Sequence, residues 1–151
     1  MPKPLRFLSP IHKASREVGV YFERLMADSG LAPQEGHLLS YLRSYAPCPI
    51  AEVLTVFGLR GSTATSILDR LEERALLTRR PNPDDRRSFL IDLTPEGKKI
   101  AEQVQTFVDA LERAVAKKIT AKDEEGFRAV MEAIHEVTNV TLVERGSKKG
   151  G

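Results

Sequence analysis

The stretch from Leu59 to Gly97, LRGSTATSILDRLEERALLTRRPNPDDRRSFLIDLTPEG, constrains the fold more than any other because its hydrophobic period changes part-way along. Ala64, Ile67, Leu68 and Leu71 fall at i, i+3, i+4 and i+7, the spacing of a helix that buries one face. Past Ala75 the period becomes that of strands. Leu76 to Arg80 is short, apolar and then basic, and Phe89, Ile91 and Leu93 alternate with Leu90, Asp92 and Thr94. A helix feeding a β-hairpin is the simplest chain that satisfies both periods. Between the strands lies PNPDDRRS, in which Pro81 and Pro83 stiffen the chain and remove ladder donors, so a long, unpaired, projecting tip is expected.

The residues left off the apolar stripe suggest a chemistry. The helix carries Ser62, Ser66, Asp69 and Arg70 on its other face, with Thr63 and Thr65 on the flanks. Short hydroxyls near a helix N-terminus reach phosphates or base edges without filling a major groove, and an arginine can pair bidentately with guanine. A solvated face of an ordinary amphipathic helix accounts for the same residues. The hairpin adds Arg86 and Arg87 at its tip, with Arg79 and Arg80 on the strand beside them. Guanidinium groups suit a narrow, electronegative minor groove, and Asp85 is placed to hold the Arg87 side chain through its carboxylate. A charged turn with a surface ion pair explains the tip by itself, but not the pairing of tip and helix in one unit. That pairing is a winged helix-turn-helix.

With LLSYLRSYAPCPIAEVLTVFGLRGSTATSILDRLEERALLTR leading into DDRRSFLIDLTPEG, the chain resembles the MarR (multiple antibiotic resistance regulator) family from about Leu31 to Gly97. That family's wing carries D-x-R followed by L-T-x-x-G, matched here by Asp85, Arg87, Leu93, Thr94 and Gly97. The resemblance implies a mainly α fold with a small β-hairpin wing, flanked by long N- and C-terminal helices that join two copies. One departure is Ala75, where the family commonly has glycine at the exit of the recognition helix. A left-handed cap costs alanine about 1 kcal/mol more than glycine.

The rest of the chain fits a single domain of residues 1–151, with residues 31–94 as the DNA-binding region and 5–28 and 95–143 as dimerisation helices. Residues 1–4 read as a disordered start. Ile11, Val18, Phe22 and Leu25 form one stripe, with Ala14 and Met26 at its margins, stopped by Ser29-Gly30. Pro33 suits the first turn of the next helix, which buries Leu38, Leu39, Leu42 and Tyr45. Pro49 suits another helix start and so places Cys48 at an N-cap; Ile50, Val53 and Leu54 face inward, and Phe57-Gly58-Leu59 turns into the recognition helix. Thr94 and Pro95 open a long helix striped by Ile100, Val104, Phe107, Val108, Leu111 and Val115. Thr120 and Asp123 cap a last one striped by Phe127, Val130, Met131, Ile134, Val137 and Thr141. The small winged region cannot cover such long stripes, which points to a homodimer, with a monomeric bundle as the alternative. The ending GSKKGG reads as a flexible tail.

Composition narrows the function classes. The 151 residues are 29% charged and nearly balanced at a formal net charge of +2, so contact with nucleic acid needs a local basic patch. No apolar run is long enough for a membrane span and no signal-peptide core follows the start, which fits a cytoplasmic protein. A single cysteine provides no internal disulfide, and the three histidines, His12, His37 and His135, lie on different helices without metal-ligand spacing. Nucleophile-elbow, P-loop and dinucleotide motifs are missing; no catalytic residue, metal or cofactor is expected. Cys48 at a helix N-terminus has the setting of a reactive thiol and equally that of a tolerated small cap residue.

The expected function is a sequence-specific, homodimeric transcription regulator, a repressor by its resemblance, on a pseudo-palindromic operator. Ser62, Thr63, Thr65, Ser66 and Arg70 would meet bases and nearby phosphates, Arg60 a phosphate at the helix entrance, and Arg87 the minor groove, with Arg86 beside it and Asp85 ordering it. The resemblance also implies a crevice for aromatic anions between the dimer helices and the winged region, for which His12, Arg16, His37 and Tyr41 are the candidates; surface charges and a packed tyrosine explain them as well. The alternatives are a ligand- or redox-sensing dimer, or a protein-interaction module, with weak DNA binding.

Overall fold

A computed structural model describes residues 1–140. Six helices and a three-stranded antiparallel sheet follow the chain in the order α1 (Leu8–Leu25), a 3-10 turn (Ala27–Ser29), α2 (Pro33–Tyr45), β1 (Cys48–Pro49), α3 (Ile50–Phe57), α4 (Gly61–Glu73), β2 (Leu77–Asn82), β3 (Asp85–Leu93), α5 (Pro95–Ala116) and α6 (Ala121–Thr138). The sheet order is β1-β3-β2. Residues 141–151, which include Thr141 and the GSKKGG ending, lie outside the described residues.

The core sits where α2, α3 and α4 meet the base of the sheet. Leu39, Leu42, Val53, Leu68, Leu71, Leu77 and Ile91 are fully buried there. Each large aliphatic side chain contributes about 1.5–3 kcal/mol by leaving water, and the four α4 residues of the apolar stripe, Ala64, Ile67, Leu68 and Leu71, are its buried face. A second, smaller cluster of Phe22, Met26 and Val104 ties α1 to α5. Gly36 permits this approach, because a Cβ there would meet the Met26 sulfur at 2.8 Å.

The exit of α4 and the entry of α5 are built as one joint. Ala75 adopts the left-handed conformation at φ 56°. Its N–H donates to the Glu72 carbonyl at 2.9 Å and that of Leu76 to Leu71 at 3.0 Å, which is the double bond of a Schellman cap. Thr94 caps α5 by accepting from the Gly97 N–H at 3.0 Å, and its hydroxyl donates to the Ala75 carbonyl at 2.6 Å. Gly97 lies against the Leu76 backbone so closely that a Cβ would sit 1.8 Å from the carbonyl oxygen. The L-T-x-x-G signature is therefore a packing device: threonine for cap and cross-link, glycine for contact.

Several local expectations change. Cys48 is not an N-cap: it pairs with Ile91 in β1, Pro49 takes the N-cap position of α3, and the thiol is fully buried. The wing tip is not a long unpaired loop either. β2 pairs with β3 through Pro81↔Phe89 and again at Asn82↔Asp85, leaving Arg86, Arg87 and Ser88 in an outward bulge. Proline is admissible because β2 is an edge strand. Asn82, buried, closes the turn by accepting from the Asp84 N–H at 3.0 Å while its amide donates to Ser88 Oγ at 3.1 Å. Phe89, placed by alternation with the buried Ile91 and Leu93, is 50% exposed because the wing outruns the core.

Candidate nucleic-acid interface

The α4 surface opposite the core carries Ser62, Thr63, Thr65 and Ser66, all exposed. Two ion-pair systems hold this surface, one on each flank. On the first, Arg79 from β2 donates to Asp69 and, at 2.5 Å, to Glu72. These hydrogen bonds, that to Asp69 first, raise the guanidinium's pKa above its ordinary value. Arg79, which the sequence places on the strand beside the wing tip, thus neutralises two carboxylates of α4. On the second flank, Arg70 Nε donates to Glu35 Oε1 of α2 at 2.8 Å, and Arg70 Nη1 donates to Ser66 Oγ at 3.1 Å.

Arg60 occupies the N-cap position of α4 with extended backbone and an exposed side chain. Arg86 and Arg87 are exposed on the wing bulge. Asp85 orders this bulge differently from expectation: its Oδ1 accepts from the backbone N–H of Arg87 at 3.0 Å, so it fixes the chain and not the guanidinium.

Two residues escaped the sequence reading. Gln34, in the first turn of α2, shares with Ser62, Thr63, Ser66 and Arg70 a concavity of about 320 Å³. Glu35, although charged, is 5% exposed; its position three residues after Ala32 signals a helix start, and Oε2 accepts from the Ala32 N–H at 3.1 Å. Nothing local couples it to Arg70.

The chain's match to the family model described as MarR family covers residues 29–88, from the approach to α2 through the wing bulge. Over those residues the chain is similar to the MarR family. Among similar proteins, the HTH-type transcriptional regulator YsmB of Bacillus subtilis is 29% identical over 108 residues, covering 69% of this chain and 74% of that protein. The HTH-type transcriptional regulator PecS of Dickeya dadantii is 27% identical over 133 residues, covering 85% and 80%. The fold matches that of MepR from S. aureus in its DNA complex with a TM-score of 0.82 at 19% identity, over 89% of this chain and 99% of that one. The structural likeness establishes the fold, a winged helix-turn-helix.

The four effector candidates are not brought together. Tyr41 turns toward α3, donating to Glu52 Oε1 at 2.6 Å and packing on Tyr45 and Phe57. His37 packs edge-on against Phe22, and burial pushes its pKa down. His12 is exposed on α1, and Arg16 lines a shallow surface with its own helix neighbours Lys13, Glu17 and Tyr21. Among the described residues no cluster could hold a metal ion, and no helix is long and apolar enough to cross a membrane.

Proposed function

We propose that the protein is a homodimeric transcription regulator that inserts α4 into the major groove of a pseudo-palindromic operator, one copy per half-site. The observation that carries this reading is the uncovered hydroxyl face of α4, braced by ion pairs on both flanks and followed by the arginine-bearing wing bulge. Ser62, Thr63, Thr65 and Ser66 meet base edges and adjoining phosphates, Arg60 a phosphate at the helix entrance, and Arg87 the flanking minor groove, with Arg86 on its edge. Regulator relatives and the likeness to a DNA-bound MepR support it.

The homodimer is supported by what the single chain leaves bare. No residue of α6 is buried, and Phe127 and Val137 are 62% and 87% exposed. At the other end Phe7 and Leu8 are exposed as well, and α1 and α6 border an apolar groove of about 470 Å³. Amphipathic helices of this length without a partner need a cover, and a second copy supplies two such faces at once. Two α4 helices related by a two-fold axis then address half-sites about 34–36 Å apart.

Selection from a randomised duplex pool across a salt series, with mass measured in parallel, tests both parts. The expected result is enrichment of one inverted repeat by a protein of twice the chain mass. Arg87→Ala is expected to weaken binding and to lower the slope of log affinity against log salt by about 0.9 per copy bound. Retention of no duplex at low salt refutes the DNA reading, and a monomer at micromolar concentration refutes the dimer.

A further inference from the structure

The Glu35–Arg70–Ser66 cluster joins α2 to the groove face of α4. Glu35 is buried and uses both carboxylate oxygens, one for the Ala32 N–H at 3.1 Å and one for Arg70 Nε at 2.8 Å. Arg70, fixed by that bond, donates from Nη1 to Ser66 Oγ, one helical turn earlier. We propose that Arg70 is a positioning residue: it does not read DNA but, anchored by Glu35, fixes the Ser66 hydroxyl as a donor to an acceptor edge in the major groove. This inference rests on the DNA-binding reading and assigns within it the residue that sets one base preference.

A serine hydroxyl has one proton and two lone pairs, and it ordinarily rotates to suit either role. In a helix it also competes for the carbonyl four residues back. Thr55 does this with Ala51 at 2.9 Å, and Thr106 with Glu102 at 3.0 Å, so both direct their protons inward to their own helices. Ser66 makes no such bond; its oxygen accepts from a cation, whose charge turns the hydroxyl proton away. The outward direction is the uncovered surface of α4. A fixed donor there pairs with purine N7, guanine O6 or thymine O4, and is unpaired against the amino groups of adenine N6 and cytosine N4. Arg70 commits its Nε–H and one Nη1 proton to partners within the protein, which fixes the plane of the guanidinium between α2 and Ser66.

The test starts from the operator selected by the unaltered protein and measures competition by every single-base variant, together with the salt slope, for Ser66→Ala, Arg70→Gln and the double variant. The expected result is that both single variants relax preference at the same base pair, by about fivefold to tenfold for one hydrogen bond. The double variant relaxes it no further than Ser66→Ala, and Arg70→Gln leaves the slope unchanged. A slope reduced by about 0.9 per copy bound in Arg70→Gln makes Arg70 a phosphate contact, and relaxation at a different base pair makes it a base reader; either overturns the proposal. Because removing the guanidinium strands a buried carboxylate, Glu35→Gln is measured alongside; relaxation at the Ser66 base pair is again expected, and its absence in a folded variant overturns the proposal. If the unaltered protein selects no operator, the DNA-binding reading itself falls.

Discussion

Gly97→Ala is the sharpest test of how the wing is attached to the long helices. The added Cβ would lie 1.8 Å from the Leu76 carbonyl oxygen, 2.8 Å from its carbon and 3.3 Å from its Cα. All three are backbone atoms, so no rotamer change relieves the contact, and the first turn of α5 must retreat from the base of the wing by more than about 1 Å to reach ordinary separation. That movement loosens the Thr94 N–H bond to the Leu76 carbonyl, 3.2 Å, and the Thr94 hydroxyl bond to the Ala75 carbonyl, 2.6 Å. Overpacking costs about 1–3 kcal/mol, and the two hydrogen bonds about 1 kcal/mol each. The better helix propensity of alanine returns about 1 kcal/mol, leaving a net loss of about 2–4 kcal/mol. Gly36→Ala is the control. Its Cβ meets the sulfur of Met26 at 2.8 Å, near the end of a flexible side chain that can move, so the propensity gain offsets most of the cost. Urea unfolding followed by far-ultraviolet circular dichroism, at one fixed protein concentration because association raises the midpoint, should show the Gly97 variant shifted by about 1 M or more. A Gly97→Ala protein within about 0.5 kcal/mol of the parent, or one more stable than Gly36→Ala, would refute the joint.

Ala75→Gly should act in the opposite direction, stabilising by about 1 kcal/mol in the same unfolding assay, because the residue holds φ 56° in the Schellman cap; a destabilised variant would show that the Ala75 methyl group has a packing role. Arg79→Ala should weaken operator binding by exposing Asp69 and Glu72 to the phosphates, and Asp69→Asn with Glu72→Gln on that background should restore it; a triple variant no better than Arg79→Ala would mean that Arg79 itself meets DNA. His37 predicts an acid-side loss of stability. Burial against α1 lowers its folded pKa below 6.5, so the unfolded chain takes up the proton first; stability is complete above 6.5 and declines as pH falls through the folded value. His37→Gln should flatten that part of the unfolding midpoint's pH profile, and an unchanged profile would assign the loss elsewhere.

Most of the helices were legible because their determinants are local. The stripe Ala64, Ile67, Leu68, Leu71 is buried as its spacing implies, Thr94 and Pro95 open α5, and Thr120 with Asp123 forms the capping box of α6. The left-handed turn at Ala75 was readable for the same reason, since it follows from one residue at one helix exit. Helix period, caps and turn conformations are decided by interactions within about four residues, and the sequence records those directly.

What only tertiary structure decided are the partners of groups far apart in the chain. Cys48 and Pro49 are too few to signal a strand; they become one because Ile91 and Leu90 of β3 pass beside them. The bulge carrying Arg86 and Arg87 depends on the register of β2 against β3, which period alone does not specify. Tyr41 had the spacing of either a packed residue or a ligand contact, and the approach of Phe57 and Glu52 settled its direction. Above all, the sequence shows Arg70 on the hydroxyl face and Arg79 beside the wing tip without showing what either is paired with. Charge is visible in a sequence, but its neutralisation depends on distance, and the fold brings Glu35 to Arg70 across 35 residues and Asp69 and Glu72 to Arg79. The sequence by itself determined the winged helix and its exposed hydroxyl face; the tertiary structure decided which arginines brace that face and which, on the wing, are left exposed.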